Sequence, residues 1–104
     1  MKVILHIDEL DKWKLTIANV KNFLKEKPDA TIEVLANAEA VEGYIDEEIL
    51  NQILELNAEF VVCANALKAH DIDQEEVNKQ IRIVQAGVVE LAEKQQEGYA
   101  YIRP

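Results

Sequence analysis

Cysteine is almost absent from this sequence, because Cys63 is the only one. A single cysteine cannot form a disulfide within the chain, and without a second one there is no CxxC motif for redox chemistry or zinc. The three glycines, at positions 43, 87 and 98, stand apart from one another. Neither GxGxxG nor GxxxxGK is therefore present, and no phosphate-binding loop is indicated.

Positive charge is also scarce. The chain has 11 Lys and Arg residues against 20 Asp and Glu residues, which gives a net charge of −9 at pH 7. Between Ala30 and Leu67 there are eight acidic residues and no Lys or Arg. A surface of this sign repels phosphate backbones, so we expect no direct binding to nucleic acid. We interpret the acidic segment as a solvated face, with a docking patch for a basic partner as the alternative.

Long apolar runs are missing as well. No run approaches the roughly 18 residues that span a bilayer, and the segment Met1–His6 is too short and too soon followed by acids to be a signal peptide. We therefore expect a cytoplasmic protein that does not bind membranes, in a compartment where a free thiol stays reduced. The length of 104 residues predicts a single domain, residues 1–104, with a core built mainly from aliphatic side chains.

Short apolar runs alternate with helical patterns along the whole chain. This alternation of strand and helix predicts an α/β fold with a parallel sheet covered on both faces, although it does not reveal the strand order. Asp46 is expected to open the second helix, Asn65 to cap the third, and Gly98 to end the fourth. The predicted strands are Lys2–Ile7, Thr31–Ala36, Phe60–Cys63, Ile81–Val84 and Tyr99–Ile102.

The first helical pattern follows the first strand. Leu10, Trp13, Ile17, Val20 and Leu24 recur at steps of three and four residues, so they form one apolar stripe in which Trp13 is a core residue. Asp8 or Asp11 can cap this helix, and Pro28 prevents it from continuing.

Cys63 is the principal candidate for chemistry. It follows the apolar run Phe60–Val62 and precedes a helix, so it is expected at the carboxyl end of a strand. Ligands and reactive groups collect at that end of a parallel sheet. Backbone amides near Ala64 and Asn65 would stabilise the thiolate, which is a nucleophile. The alternative is that Cys63 is a small core hydrophobe.

Other residues should reach the same edge of the sheet as Cys63. These are Asp8 after the first strand, Asn37 after the second strand, and the loop Gln85-Ala86-Gly87 after the fourth strand. His6 stands near the end of the first strand, on the same side as Asp8 by alternation, and a purely structural role is its alternative.

His70 lies seven residues after Cys63, about 10 Å along a helix, which is too far for direct proton transfer. We interpret it as a surface or capping histidine. Cys63, His6 and Asp8 lack a supporting metal motif, and the sequence has no local signature of a cysteine hydrolase. We therefore predict no metal and no cofactor.

At these residues the sequence resembles the DsrE/DsrF-like family, in particular its small single-domain members. The resemblance covers nearly the whole chain in matching order, and the Cys-x-Asn-x-Leu segment and the tail are its most specific parts. Ala38 stands where relatives often have Gly, and Ala64 where many have Gly or Arg. The matching features are Val3–Glu9, Trp13 with Asn19, Val34–Val41, Val62–Leu67, Ala86–Leu91 and Gln96–Pro104.

The resemblance implies a three-layer α/β/α fold related to the flavodoxin class, with a central, mainly parallel five-stranded sheet, assembled as a homotrimer or hexamer. It implies that Cys63 carries sulfur as a persulfide between a donor and an acceptor protein. Any enzymatic activity would be at most that of a sulfurtransferase-like carrier. The alternatives are an oligomeric module that binds a small ligand or nucleotide without covalent chemistry, and an oligomeric scaffold. The candidate pocket residues are Asn37, Asn65, His6, Glu90 and Gly87.

Overall fold

The structure is a computed structural model that describes residues 1–104, and it is built around a five-stranded sheet. The strands lie in the order β4-β3-β2-β1-β5, and every neighbouring pair is parallel. All five predicted strands are present, with starts that differ by one residue in β3, β4 and β5. The strands are β1 (Lys2–Ile7), β2 (Thr31–Ala36), β3 (Glu59–Cys63), β4 (Arg82–Val84) and β5 (Ala100–Ile102).

Four α-helices connect the strands, together with three shorter 3-10 segments. None of the helices combines the length and the apolar character that crossing a membrane requires. The α-helices are α1 (Trp13–Glu26), α2 (Glu47–Ile53), α3 (Ala64–Ala69) and α4 (Gly87–Gln96), and the 3-10 segments are Leu10–Lys12, Ala38–Ile45 and Gln74–Glu76.

The strand order explains how the helices divide between the two faces of the sheet. From β1 to β4 the chain advances in one direction, so right-handed crossovers place α1, α2 and α3 on one face. The chain then returns past β1 to form β5, and this reversal puts α4 on the opposite face. The three-layer α/β/α arrangement expected from the sequence is thus confirmed.

The two faces carry separate apolar clusters, because alternate residues of a strand point to opposite sides. Val3, Leu5 and Ile7 belong to the larger cluster, which includes residues of α1 and α3. On the other face Ile4, Leu35 and Val61 pack with Leu91 of α4. The second face therefore depends on a single helix for its cover.

Three expectations about helix starts have different outcomes. Asp46 does cap α2, because its Oδ1 accepts a hydrogen bond from the Ile49 amide at 3.1 Å. Helix α1 begins at Trp13 after the 3-10 segment and has no side-chain cap, so the caps expected from Asp8 or Asp11 are wrong. Helix α3 has Cys63 at its N-cap position instead of Asn65.

Trp13 lies in the larger core, as predicted. Its indole is 1% exposed, and Nε1 donates a hydrogen bond to the backbone oxygen of Ala40 at 2.8 Å. Tyr44 packs edge-on against it, with ring centroids 5.1 Å apart. Gly43 lies directly against the indole, where a Cβ atom would overlap the ring. These contacts attach the Ala38–Ile45 segment to α1.

Candidate functional site

Cys63 is the last residue of β3 and lies at the carboxyl edge of the sheet, in register with Val84. Its side chain is largely buried, with 6% of the residue exposed. The thiol points to the backbone oxygen of Gln85, with Sγ 3.9 Å from that oxygen. In such a contact the thiol is the donor and the backbone oxygen is the acceptor.

Gly87 and Asn37 meet Cys63 at one point. A Cβ atom built on Gly87 would lie 3.3 Å from the Cβ of Cys63 and 3.4 Å from the Cβ of Asn37. Gly87 is the first residue of α4, so the start of this helix packs directly over the ends of β2 and β3. The sheet edge predicted from the sequence thus brings Cys63, Asn37 and Gly87 together.

His6 joins this group through Asn37. Its Nε2 lies 2.9 Å from Asn37 Oδ1, and its Nδ1 lies 2.6 Å from the hydroxyl oxygen of Tyr101. An amide oxygen only accepts, so Nε2 carries the hydrogen, and in the neutral imidazole Nδ1 accepts from the tyrosine hydroxyl. His6 therefore faces Asn37, while Asp8 pairs with Arg103 at 3.0 Å.

Asn65 holds the loop that follows β4. Its Oδ1 accepts a hydrogen bond from Gln85 Nε2 at 2.7 Å, and its backbone amide donates to the Gln85 oxygen at 3.2 Å. That same oxygen contacts Sγ of Cys63. Asn65 thereby fixes the position of the segment that covers the thiol.

The amides at the start of α3 do not contact the sulfur in this state. Cys63 is the N-cap residue of α3, but its side chain accepts no capping hydrogen bond, and the Asn65 amide is bonded to Gln85 instead. The expected stabilisation of a thiolate by the amides near Ala64 and Asn65 is therefore absent from this structure.

Two predicted residues lie apart from the thiol. Glu90 is in the first turn of α4, but its carboxylate is directed to Arg82, whose Nη2 lies 2.6 Å from Oε2. His70 follows α3 and has its Nδ1 2.8 Å from Glu42 Oε2, so it serves at the end of a helix as expected. Neither side chain forms a hydrogen bond with Cys63.

Sequence reasoning missed two participants at this edge. The sequence places Gln85 only in a loop, yet it contacts both Cys63 and Asn65. Tyr101 lies in the predicted strand Tyr99–Ile102, and its bond to His6 depends on β5 lying beside β1. The signal for Gln85 was available, since a polar residue directly after a strand reaches the same edge. The signal for Tyr101 was not, because the strand order was unknown.

The surface has two grooves, and Cys63 lines neither. The first, of about 510 Å³, runs between α1 and α2 and is lined by Leu10, Trp13, Ile17 and Ile49 with several charged residues. The second, of about 300 Å³, lies between α4 and β4. Its lining residues are Val84, Gln85, Ala86, Val89, Glu90 and Glu93. No group of three or more His, Cys, Asp or Glu side chains converges in a way that could hold a metal ion.

A buried carboxyl group lies on the face of the sheet that α4 covers. Glu33 of β2 is 1% exposed, with Arg82 Nη2 3.5 Å and Lys94 Nζ 3.9 Å from its Oε1. Burial raises the pKa of Glu33 to about 8, and the neighbouring Glu90 adds to this effect. Sequence analysis gave no indication of this group, because the alternation of β2 identifies an inward residue but not its partners.

Glu90 behaves in the opposite way. Burial by itself raises its pKa, but the hydrogen bonds from Glu33 and Arg82 outweigh burial, so the pKa of Glu90 lies below its ordinary value. The pKa of Arg82 is raised, chiefly by its hydrogen bond to Glu59. The two carboxyl groups therefore differ in charge near neutrality, Glu33 holding a proton and Glu90 carrying a negative charge.

The fold and the edge geometry define a three-layer α/β/α protein with its single cysteine under the first turn of a helix. The sequence model of the DsrE/DsrF-like family matches residues 16–104, and the chain belongs to this family. No curated protein matches the chain.

Two solved structures resemble the chain over nearly all of its length. A protein of unknown function from Methanobacterium thermoautotrophicum has 32% sequence identity and a TM-score of 0.91, with 99% of this chain and 98% of that chain covered. A conserved protein of unknown function from Bacteroides thetaiotaomicron shares the fold, with a TM-score of 0.78 at 12% identity over 99% of this chain and 94% of that one.

Proposed function

We propose that this protein is a sulfur carrier in which Cys63 accepts and passes on a persulfide sulfur. The observation that carries the proposal is the placement of the only cysteine at the carboxyl edge of a parallel sheet, where it meets Asn37 and Gly87. Family membership supports the same assignment. A free thiol stays reduced in the cytoplasm, which is where we place the carrier.

The proposed reaction is an exchange at sulfur. The Cys63 thiolate attacks the terminal sulfur of a donor persulfide, the S–S bond of the donor breaks, and the donor cysteine leaves as a thiolate. Cys63 then carries the persulfide until an acceptor thiolate attacks its outer sulfur in the same way. No net oxidation or reduction occurs, because one S–S bond forms as another breaks.

Cys63 is covered in the structure, so the protein must move before this reaction can occur. Cys63 is 6% exposed and its Sγ is directed to the Gln85 oxygen. Gln85 and Gly87 lie against Cys63, so movement of the segment 85–87 away from the edge would make Sγ accessible to a donor. That movement would also break the contact between Sγ and the Gln85 oxygen. The contacts that α4 and Asn65 make with this segment should therefore govern the rate of sulfur transfer.

The experiment is incubation with a cysteine desulfurase and cysteine, followed by intact mass measurement. The wild-type protein should gain one sulfur atom, which a reductant removes. The matched control is Cys63→Ala, which leaves no thiol in the chain and should gain none. An unchanged wild-type mass, or an equal gain in the variant, would exclude the carrier function.

Noncovalent ligand binding is the second candidate, and the groove beside α4 is the observation that favours it. This groove shares Gln85 and Ala86 with the covered edge, while the carboxylates of Glu90 and Glu93 make it unfavourable for phosphates. A ligand from a thermal-shift screen that raises the melting temperature equally in wild type and Cys63→Ala would support binding over sulfur transfer.

We also propose that the chain forms homo-oligomers, a trimer or a hexamer, through the outer side of α4 and β5. Val88 and Val89 of α4 are 67% and 52% exposed, and Tyr101 and Ile102 of β5 are also exposed. Helix α4 is the only helix on its face of the sheet. Exposed apolar side chains grouped on such a surface are typical of an interface between subunits. Sulfur donor and acceptor proteins would be further, transient partners.

A further inference from the structure

The carboxyl group of Glu33 lacks the partners that a buried anion needs. Both of its oxygens are buried, and neither accepts a hydrogen bond. Arg82 and Lys94 lie at 3.5 Å and 3.9 Å, but neither donates to it. A buried carboxylate without hydrogen bonds is strongly unfavourable, so a charged Glu33 would be poorly accommodated here.

A proton on Glu33 removes this difficulty. Arg82 Nη2 lies 3.5 Å from Glu33 Oε1 and 2.6 Å from Glu90 Oε2, so the two carboxyl groups are neighbours around one guanidinium. A protonated Glu33 has a hydrogen to donate to the Glu90 carboxylate, whereas an ionised Glu33 has none. Glu33 belongs to β2, Glu90 to α4 and Arg82 to β4, so one proton joins the helix to the sheet. The titratable or charged groups that act on the pair are Glu59 of β3, Arg82 of β4, Lys94 of α4 and Tyr44 of the 3-10 segment, with Glu97 bound to Lys94.

We propose that Glu33 and Glu90 form a proton-dependent latch that holds α4 on the sheet and so controls access to Cys63. The link is mechanical, because Glu90 and Gly87 lie within one turn of the same helix and Gly87 packs against the Cβ of Cys63. Loss of the proton places two negative carboxylates together under α4. Repulsion and hydration of Glu33 then favour a state in which the start of α4 lifts from the edge. Only the role assigned to opening, which is access of a sulfur donor to Cys63, rests on the proposed function.

The pH range follows from the two states of Glu33. In the closed state the pKa is about 8, whereas a hydrated Glu33 in the open state returns to the ordinary value of 4.5. The closed state binds the proton more tightly, so its advantage is complete below pH 4.5 and is lost progressively as the pH rises to about 8. Opening should increase by up to about tenfold per pH unit across this range and then become constant.

The experiment measures how fast iodoacetamide modifies Cys63 in the wild-type protein and in Glu33→Gln, at several pH values on both sides of the closed-state pKa of Glu33. Both proteins share the ionisation of the thiol, so the ratio of the two rates isolates the latch. The ratio of wild type to variant should rise with pH up to about 8 and stay level above it. A ratio that is constant throughout, or that continues to rise at higher pH, would overturn the latch.

A direct titration keeps the test decisive even if Glu33→Gln folds poorly. Carbon NMR of the side-chain carboxyl groups in the wild-type protein should give Glu33 a midpoint near 8. The variant Glu90→Gln should lower that midpoint, because the negative charge beside Glu33 is removed. A Glu33 midpoint at its ordinary value would refute the latch. Iodoacetamide needs no sulfur donor, so failure here is distinct from failure of the desulfurase experiment.

Discussion

Gly87 and Cys63 pack so closely that no side chain fits between them. A Cβ on Gly87 would lie 3.3 Å from the Cβ of Cys63 and 3.1 Å from Cδ1 of Leu35. We therefore expect Gly87→Val to lower the free energy of unfolding by about 1–3 kcal/mol, as overpacking of a buried contact does. Chemical denaturation monitored by tryptophan fluorescence measures this change.

Ala18→Val is the control for that substitution. Ala18 is an exposed residue of α1, so the same side chain can be added there without contact with the sheet and away from the proposed interface on α4. Its effect should stay within about 0.5 kcal/mol. If both variants were equally destabilised, the packing of Gly87 against Cys63 would not be the cause.

Ala38 has an unfavourable backbone conformation for an alanine, with φ of 48°. Left-handed backbone costs a non-glycine residue roughly 1–2 kcal/mol, and the exposed methyl group makes little compensating contact. Ala38→Gly should therefore raise the free energy of unfolding by about 1 kcal/mol.

The control for Ala38 is Ala69→Gly, at an exposed position in α3. Glycine in a helix is unfavourable by about 0.5–1 kcal/mol relative to alanine, so this variant should be less stable than wild type. Melting temperatures that move in opposite directions would support the assignment of strain to Ala38. A loss of stability in both variants would contradict it.

The buried carboxyl group of Glu33 also predicts how global stability depends on pH. Its folded-state pKa is raised from 4.5 to about 8, so its contribution is complete below the lower value and disappears as the pH rises through the upper one. The stability of wild type relative to Glu33→Gln should therefore fall by a few kcal/mol across that range. Urea denaturation at a series of pH values measures the difference.

An exposed glutamate provides the comparison for this pH dependence. Glu55 lies on the surface after α2, and Glu55→Gln should leave the dependence of stability on pH unchanged. If Glu33→Gln also gave a constant difference from wild type at every pH, Glu33 would have to be ionised in the folded protein.

The proposed oligomer predicts a specific effect of charge on α4. Val88→Lys combined with Val89→Lys should convert the assembly to monomers, because desolvating two ammonium groups is unfavourable at an apolar interface. Leu15→Lys is the control, since Leu15 is 46% exposed on α1 at the other face of the sheet. Sedimentation velocity distinguishes the species. A wild-type protein that is already monomeric would refute the interface.

Much of the fold could be predicted because local signals and global packing agree. The apolar run Phe60–Cys63 and the acidic start of α2 each carry their signal within a few residues. The presence of Asn37 and Cys63 at one edge followed from the parallel direction of the strands alone. These inferences needed no knowledge of which strands are neighbours.

The remaining features depend on contacts between residues far apart in the chain. The His6–Tyr101 bond requires β5 to lie beside β1, and sequence periodicity does not contain that order. The Glu33–Glu90–Arg82 cluster likewise joins three separate elements. The N-cap of α3 was misplaced because Asn65 is a strong capping residue in isolation, whereas its side chain bonds to Gln85 in the folded chain.

The assignment of a single helix to one face of the sheet has a consequence during synthesis. Strands β1, β2 and β3 and their partner helices α1 and α2 precede α4 in the chain. Until α4 has left the ribosome, the apolar surface formed by Ile4, Leu35 and Val61 has no cover. The nascent chain thus exposes an apolar, aggregation-prone face of the sheet, and chaperone binding before release would be advantageous.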